Sequence, residues 1–192
     1  MIEARVRFFF DYVDPASYVV ERWVREFEAE AGVALAIRHP FEVNPPPGPL
    51  LDPGSTTWRS RWAEGRARAA AEGMEVVVPR LVPWTRKAHE LAWHARDKGL
   101  FAKVHQSLFR AFHESGEDIG RVDVLVELAR ELSLDVSEAR AVLDVDKHAD
   151  AVAASTAQAR AWGITTVPTL ALEDRHHEDP ADRAAVREAL AP

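Results

Sequence analysis

Residues 5–38 read RVRFFFDYVDPASYVVERWVREFEAEAGVALAIR. The opening RVRFFFD (5–11) is a run of Phe and Val with the length of a buried strand. A turn follows at Asp14–Pro15. Val19, Val20, Trp23, Val24 and Phe27 then recur at helical spacing to about Ala31, and Gly32 stands where a helix C-cap glycine belongs. VALAIR (33–38) predicts a second strand. Strand, helix, strand within forty residues is a βαβ unit, whose crossover is right-handed and whose strands are parallel in nearly all cases.

Outward from this unit the pattern changes. Residues 40–55 hold six of the twelve prolines, namely Pro40, Pro45, Pro46, Pro47, Pro49 and Pro53, and read as an ordered loop or linker in which Asn44 caps or turns the chain. From Thr56 to Trp162 only helical signals recur, near 57–72, 85–98, 101–113, 121–132, 136–143 and 147–162, with Val76–Val78 as a short extended piece. Pro168–Leu172 predicts a strand. Asp179 as N-cap and Pro180 at the first helical position predict a closing helix to Ala191. Strands thus lie at both ends and helices between them: residues 1–55 and 147–192 form the two halves of an α/β unit, and 56–146 a helical insertion. The tail EDRHHEDP (173–180) shows no clear last strand, so the sheet is expected to lack one strand or carry an irregular one.

Composition limits the chemistry. The 192 residues carry a net charge of −7 and 29% charged residues, ordinary for a globular chain. An acidic balance argues against nucleic acid and anionic membrane as partners. No stretch approaches the ~18 apolar residues of a membrane span. The N-terminus MIEARVRFFFDYV has no basic region followed by a long apolar run, so no signal peptide is read and the cytoplasm is the expected compartment. There is no cysteine, which removes disulfides, thiolate metal sites and a cysteine nucleophile.

Four further segments carry a resemblance. HPFEVNPPPG (39–48), VPWTRKAHELA (82–92), LFRAFHESGEDIGRVDVLVELA (108–129) and WGITTVPTLAL (162–172) resemble corresponding segments of the DsbA-like thioredoxin-fold family, in particular its FrnE-like branch. The resemblance spans nearly the whole chain. It implies a thioredoxin-like α/β fold with an inserted helical subdomain, an active-site turn at the start of the first helix, and a cis peptide at Val167–Pro168. Redox members of the family carry CxxC at the turn. The related kappa-class glutathione transferases and 2-hydroxychromene-2-carboxylate isomerases carry SxxS. Here the turn is Asp14-Pro15-Ala16-Ser17, so a protein that is an oxidoreductase by lineage is expected to perform no dithiol–disulfide exchange.

The turn admits several chemistries. A helix N-terminus presents unpaired N–H groups and the positive end of the dipole, which stabilise a thiolate. A carboxylate there is a helix cap worth about 1 kcal/mol, and it repels a thiolate nearby. Asp14 therefore reads either as a cap in a degenerate site or as a general acid or base with its pKa raised against Phe9, Tyr12 and Trp84. Ser17 donates either to a ligand or to the backbone. The resemblance implies that the Val167 backbone beside Pro168 pairs with a bound peptide or with glutathione. Tyr12, Pro15, Trp84 and Arg86 are the expected lining of that cleft, with a surface salt bridge the alternative for Arg86 and core packing the alternative for the tryptophans. The ligand is expected to be a small molecule such as glutathione or another low-molecular-weight thiol, or an extended peptide. The readings left open are a glutathione-dependent isomerase or transferase, a non-catalytic binding module, and new hydrolytic or isomerase chemistry at Asp14. Some relatives form homodimers, which leaves that state open here.

No metal site is assigned. His89 and His94 mimic a zincin motif but are five residues apart, which places their side chains about 140° apart around the helix. His176-His177 lies in an acidic stretch that reads as a solvated loop, with a loose metal site the alternative.

Overall fold

A computed structural model describes residues 6–191. Strand β1 (Val6–Phe10) leads through the turn into helix α1 (Pro15–Ala31), and β2 (Ala36–Pro40) returns parallel to β1. Arg5, where the sequence places the start of the first strand, lies outside the described residues. Helix α1 ends at Gly32, whose φ of 68° is the left-handed cap conformation. The second strand begins later than the sequence suggests because the Glu28 carboxylate accepts the Leu35 and Ala36 N–H groups and holds that stretch against α1. It ends on Pro40, tolerated because β2 lies at the sheet edge.

Six helices follow: α2 (Thr56–Ala71), α3 (Arg86–Asp97), α4 (Phe101–His113), α5 (Val122–Glu131), α6 (Val136–Asp144) and α7 (Ala149–Ala161). All six lie within two residues of the ranges read from the sequence. Val76–Val78 is irregular, its neighbourhood tied down by Val77 N–H donating to the His113 carbonyl and by a bridge between Leu51 and Val82. Asn44 spans the proline loop, its side-chain amide donating to the Pro49 carbonyl at 2.9 Å.

The chain returns to the sheet as β3 (Thr169–Leu172), antiparallel to β1, and β4 (Arg175–Glu178), antiparallel to β3. The order is β2-β1-β3-β4. The fourth strand corrects the expectation of a missing or irregular one: Thr169 faces Glu178 and Leu172 faces Arg175 in regular register. An edge strand of charged and imidazole side chains carries no hydrophobic alternation to reveal it. The tight turn uses Glu173 at φ 54° rather than the glycine or asparagine that would have marked a hairpin. The last helix, α8 (Arg183–Leu190), also starts later than Asp179–Pro180 suggests. Asp182 is its N-cap, accepting from Ala185 N–H at 2.9 Å. Asp179 is engaged elsewhere, by Arg68 and through its own N–H to the Pro168 carbonyl at 2.7 Å.

Both sheet faces are covered, as the continuous apolar run of β1 requires. Phe8 and Phe10 point into the large core with α1, α3 and α4, whereas Phe9 points the other way, to Phe41, Ala159, Ile164 and Val167. Because β1 lies between β2 and β3, its C-terminal end delivers residues 11–14 beside the loop that precedes β3. No helix among the described residues is long and apolar enough to cross a membrane.

Candidate functional site

Asp14 is the N-cap of α1 and Pro15 its first residue. The cap is complete. One carboxylate oxygen of Asp14 accepts the Ser17 N–H at 2.7 Å and the Ser17 hydroxyl at 2.6 Å. The other accepts Arg61 Nε–H at 2.7 Å. Asp14 and Ser17 are fully buried. Burial pushes the Asp14 carboxyl above its ordinary value, while the Arg61 charge and the Ser17 hydrogen bonds act in the opposite direction.

Arg61 links the two halves of the site. It reaches from α2 to Asp14 and, with a terminal nitrogen, donates to the Val167 carbonyl; a second terminal nitrogen lies 3.5 Å from the Thr166 hydroxyl. The Val167–Pro168 peptide is cis, and Val167 is fully buried. The Val167 carbonyl is thus committed to Arg61 and the Pro168 carbonyl to Asp179, while no described residue accepts the Val167 N–H. The cleft between turn and loop is filled by a guanidinium that is itself about one-third exposed.

The close approach of α2 has a sequence cause. A Cβ on Gly65 would lie 2.5 Å from Pro15 Cβ and Cγ. With no side chain at 65, α2 rests on the first turn of α1, and Arg61, one helical turn earlier on the same face, is delivered to Asp14. Arg61 was not among the residues singled out in the sequence, where it is one of four arginines on α2. The signal that could have found it is the mid-helix glycine, a residue that weakens a helix unless close packing needs it.

The other expected residues lie apart. Tyr12 is fully buried behind the turn, edge-on to Phe10, with its hydroxyl 2.9 Å from His105 Nδ1. Trp84 is partly exposed and donates its indole N–H to the Gly48 carbonyl at 3.1 Å, bracing the proline loop. Arg86 forms a two-pronged pair with the buried Glu42, at 2.8 and 2.7 Å. The structure therefore brings together Asp14, Pro15, Ser17, Val167 and Pro168 and seals them with Arg61. His176 and His177 sit on β4 with side chains on opposite faces.

The DSBA-like thioredoxin domain family matches residues 5–190. The chain belongs to that family. An uncharacterized protein of Bacillus subtilis, YwbO, is 27% identical over 175 residues, covering 88% of this chain and 86% of its own. The crystal structure of a probable DsbA oxidoreductase from Streptomyces coelicolor is similar at a TM-score of 0.79 and 24% identity, over 98% of this chain and 88% of that one. A 2-hydroxychromene-2-carboxylate isomerase is similar at a TM-score of 0.75 and 17% identity, over 90% and 87%. At these identities the structural likenesses speak for the fold: a DsbA-like thioredoxin architecture with a mixed four-stranded sheet.

Proposed function

We propose that this chain is a non-redox member of the DsbA-like family that binds an extended ligand, a peptide or a glutathione-like tripeptide, through the main chain of Val167. The observation that carries this reading is the Asp14–Arg61–Val167 bridge. With no cysteine in the chain, dithiol–disulfide exchange has no nucleophile. The Ser17 hydroxyl donates to Asp14 and is not available to a substrate thiolate, and the Asp14 carboxylate would repel one. The turn half of the site is thus poorly suited to holding a thiolate.

The loop half suits a main chain. An extended ligand lying along residues 166–168 offers a carbonyl to the Val167 N–H and an N–H to the Val167 carbonyl, as a strand adds to a sheet edge. To do so it displaces the Arg61 donor, whose side chain is about one-third exposed. Binding then depends on backbone groups and not on sulfur.

Calorimetric titration with reduced glutathione and with S-methylglutathione separates this from thiol-dependent chemistry. We expect both to bind saturably with affinities within a factor of about three, a difference of well under 1.4 kcal/mol. Binding of reduced glutathione alone would favour a thiol-dependent isomerase or transferase instead. Saturation by neither, nor by an extended tetrapeptide, would overturn the reading.

A further inference from the structure

A second side of α2 forms one wall of another site. Trp58, Arg59, Trp62, Ala63 and Arg66 recur at helical spacing and, with Pro53, Val78, Pro79 and Val82, line a groove of about 230 Å³. Trp58 and Trp62 are buried, with ring centroids 6.3 Å apart, and the Trp62 indole N–H donates to the Val77 carbonyl at 3.1 Å, fixing the opposite wall.

Two features identify an occupant. First, the lining is mostly apolar: seven of its nine residues (Pro53, Trp58, Trp62, Ala63, Val78, Pro79 and Val82) are hydrophobic or proline, and Val78 is 61% exposed. Second, the lining includes two arginines and no carboxylate, in a chain whose net charge is −7. Neither the Arg59 nor the Arg66 guanidinium is paired with a described residue. They stand seven positions apart, about 10 Å along the helix, Arg59 directly after Trp58 and Arg66 one turn beyond Trp62.

We infer that this groove is a binding site for a small aromatic carboxylate whose ring system lies against Trp58 and Trp62 and whose anionic group pairs with Arg59 or Arg66. The volume limits the ligand to about one bicyclic ring system, since sites for drug-sized molecules run about 300–1,000 Å³. Aromatic walls favour a flat ring in offset or edge contact. The guanidinium fork favours a carboxylate, which it meets with two parallel hydrogen bonds. The site uses none of the residues of the Asp14–Arg61–Val167 bridge and does not depend on the proposal for Val167.

The test uses 2-naphthoate and its neutral counterpart 2-naphthylmethanol, titrated into the full chain by calorimetry and followed on the indole N–H signals by NMR. We expect one saturable naphthoate site, shifts in the Trp58 and Trp62 signals with Trp162 unmoved, and binding of the alcohol at least tenfold weaker. Ala63→Phe places a ring in the groove from an exposed helix position and is expected to abolish binding. Arg59→Gln combined with Arg66→Gln is expected to reduce naphthoate affinity to that of the alcohol. Both variants sit at the surface, and circular dichroism establishes that they are folded. Failure to saturate up to about 10 mM, equal affinity for acid and alcohol, or full binding in folded Ala63→Phe would each overturn the inference.

Discussion

Arg61 decides what the turn can do. Its sequence neighbours Arg59, Arg66 and Arg68 look the same on paper, yet Arg61 alone joins the start of α1 to the loop before β3. The Asp14 cap was legible, because a carboxylate before a proline at a helix start has few other roles. The partner was not: it lies 47 residues away and is set by how two helices cross. Removing Arg61 leaves a buried carboxylate with only the Ser17 donors. Arg61→Met is therefore expected to destabilise the fold by about 2 kcal/mol, discounted from the figure for a fully buried pair because the guanidinium is partly exposed. Adding Asp14→Asn is expected to recover most of that loss, since asparagine still accepts the Ser17 N–H. Urea unfolding of the two single variants and the double variant measures the coupling; strictly additive losses would mean that the pair is not energetically linked.

At the scale of elements, the crossing of α1 and α2 turns on Gly65. In an exposed helix interior, glycine to alanine gains about 1 kcal/mol. Here the added methyl would meet Pro15 at 2.5 Å, well inside contact distance. Gly65→Ala is expected to lose about 1–3 kcal/mol in chemical denaturation, reversing the usual sign; a gain in stability would show that α2 does not rest on the first turn of α1. The elements whose burial imprints an apolar run or a helical period on the sequence are β1, α1 and helices α3 to α6. Strand β4 left no imprint because it pairs on one side only and is polar. The start of α8 was obscured because Asp179 and Asp182 are both good caps, and the choice fell to Asp182 once Arg68 and the Pro168 carbonyl engaged Asp179.

Across the whole molecule, the insertion and the sheet are joined by a buried charged network in the large core. Arg38 on β2 pairs with Glu21 and Glu28 of α1, and His105 of α4 lies 3.4 Å from Glu21 while meeting the Tyr12 hydroxyl with its other nitrogen. Burial alone would raise the Glu21 carboxyl, but Arg38 and His105 outweigh it and hold it down at about 2. A carboxyl depressed in the folded state binds more protons when unfolded. Its contribution is present above the unfolded value, near 4.5, and is lost as the pH falls toward 2. Denaturant midpoints are thus expected to drop across that window. Glu21→Gln is expected to be less stable at neutral pH and to show a shallower acid dependence; an unchanged slope would remove Glu21 as its source. None of this network was read from the sequence, because its members come from β2, α1, α4 and the turn after β1, and only the fold brings them together.

Under the proposed function, Arg61 closes a main-chain binding site over Asp14 and Val167. A latch that keeps the open form at about one molecule in ten weakens observed affinity about tenfold. The measurement that tests this most directly is the affinity for reduced glutathione, by calorimetry, of the native chain beside the Asp14→Asn/Arg61→Met double variant, which lacks both the latch and the charge it neutralises. We expect binding at least tenfold tighter in the double variant, with S-methylglutathione following the same change. Equal affinities, or binding present in the native chain and lost in the variant, would contradict it.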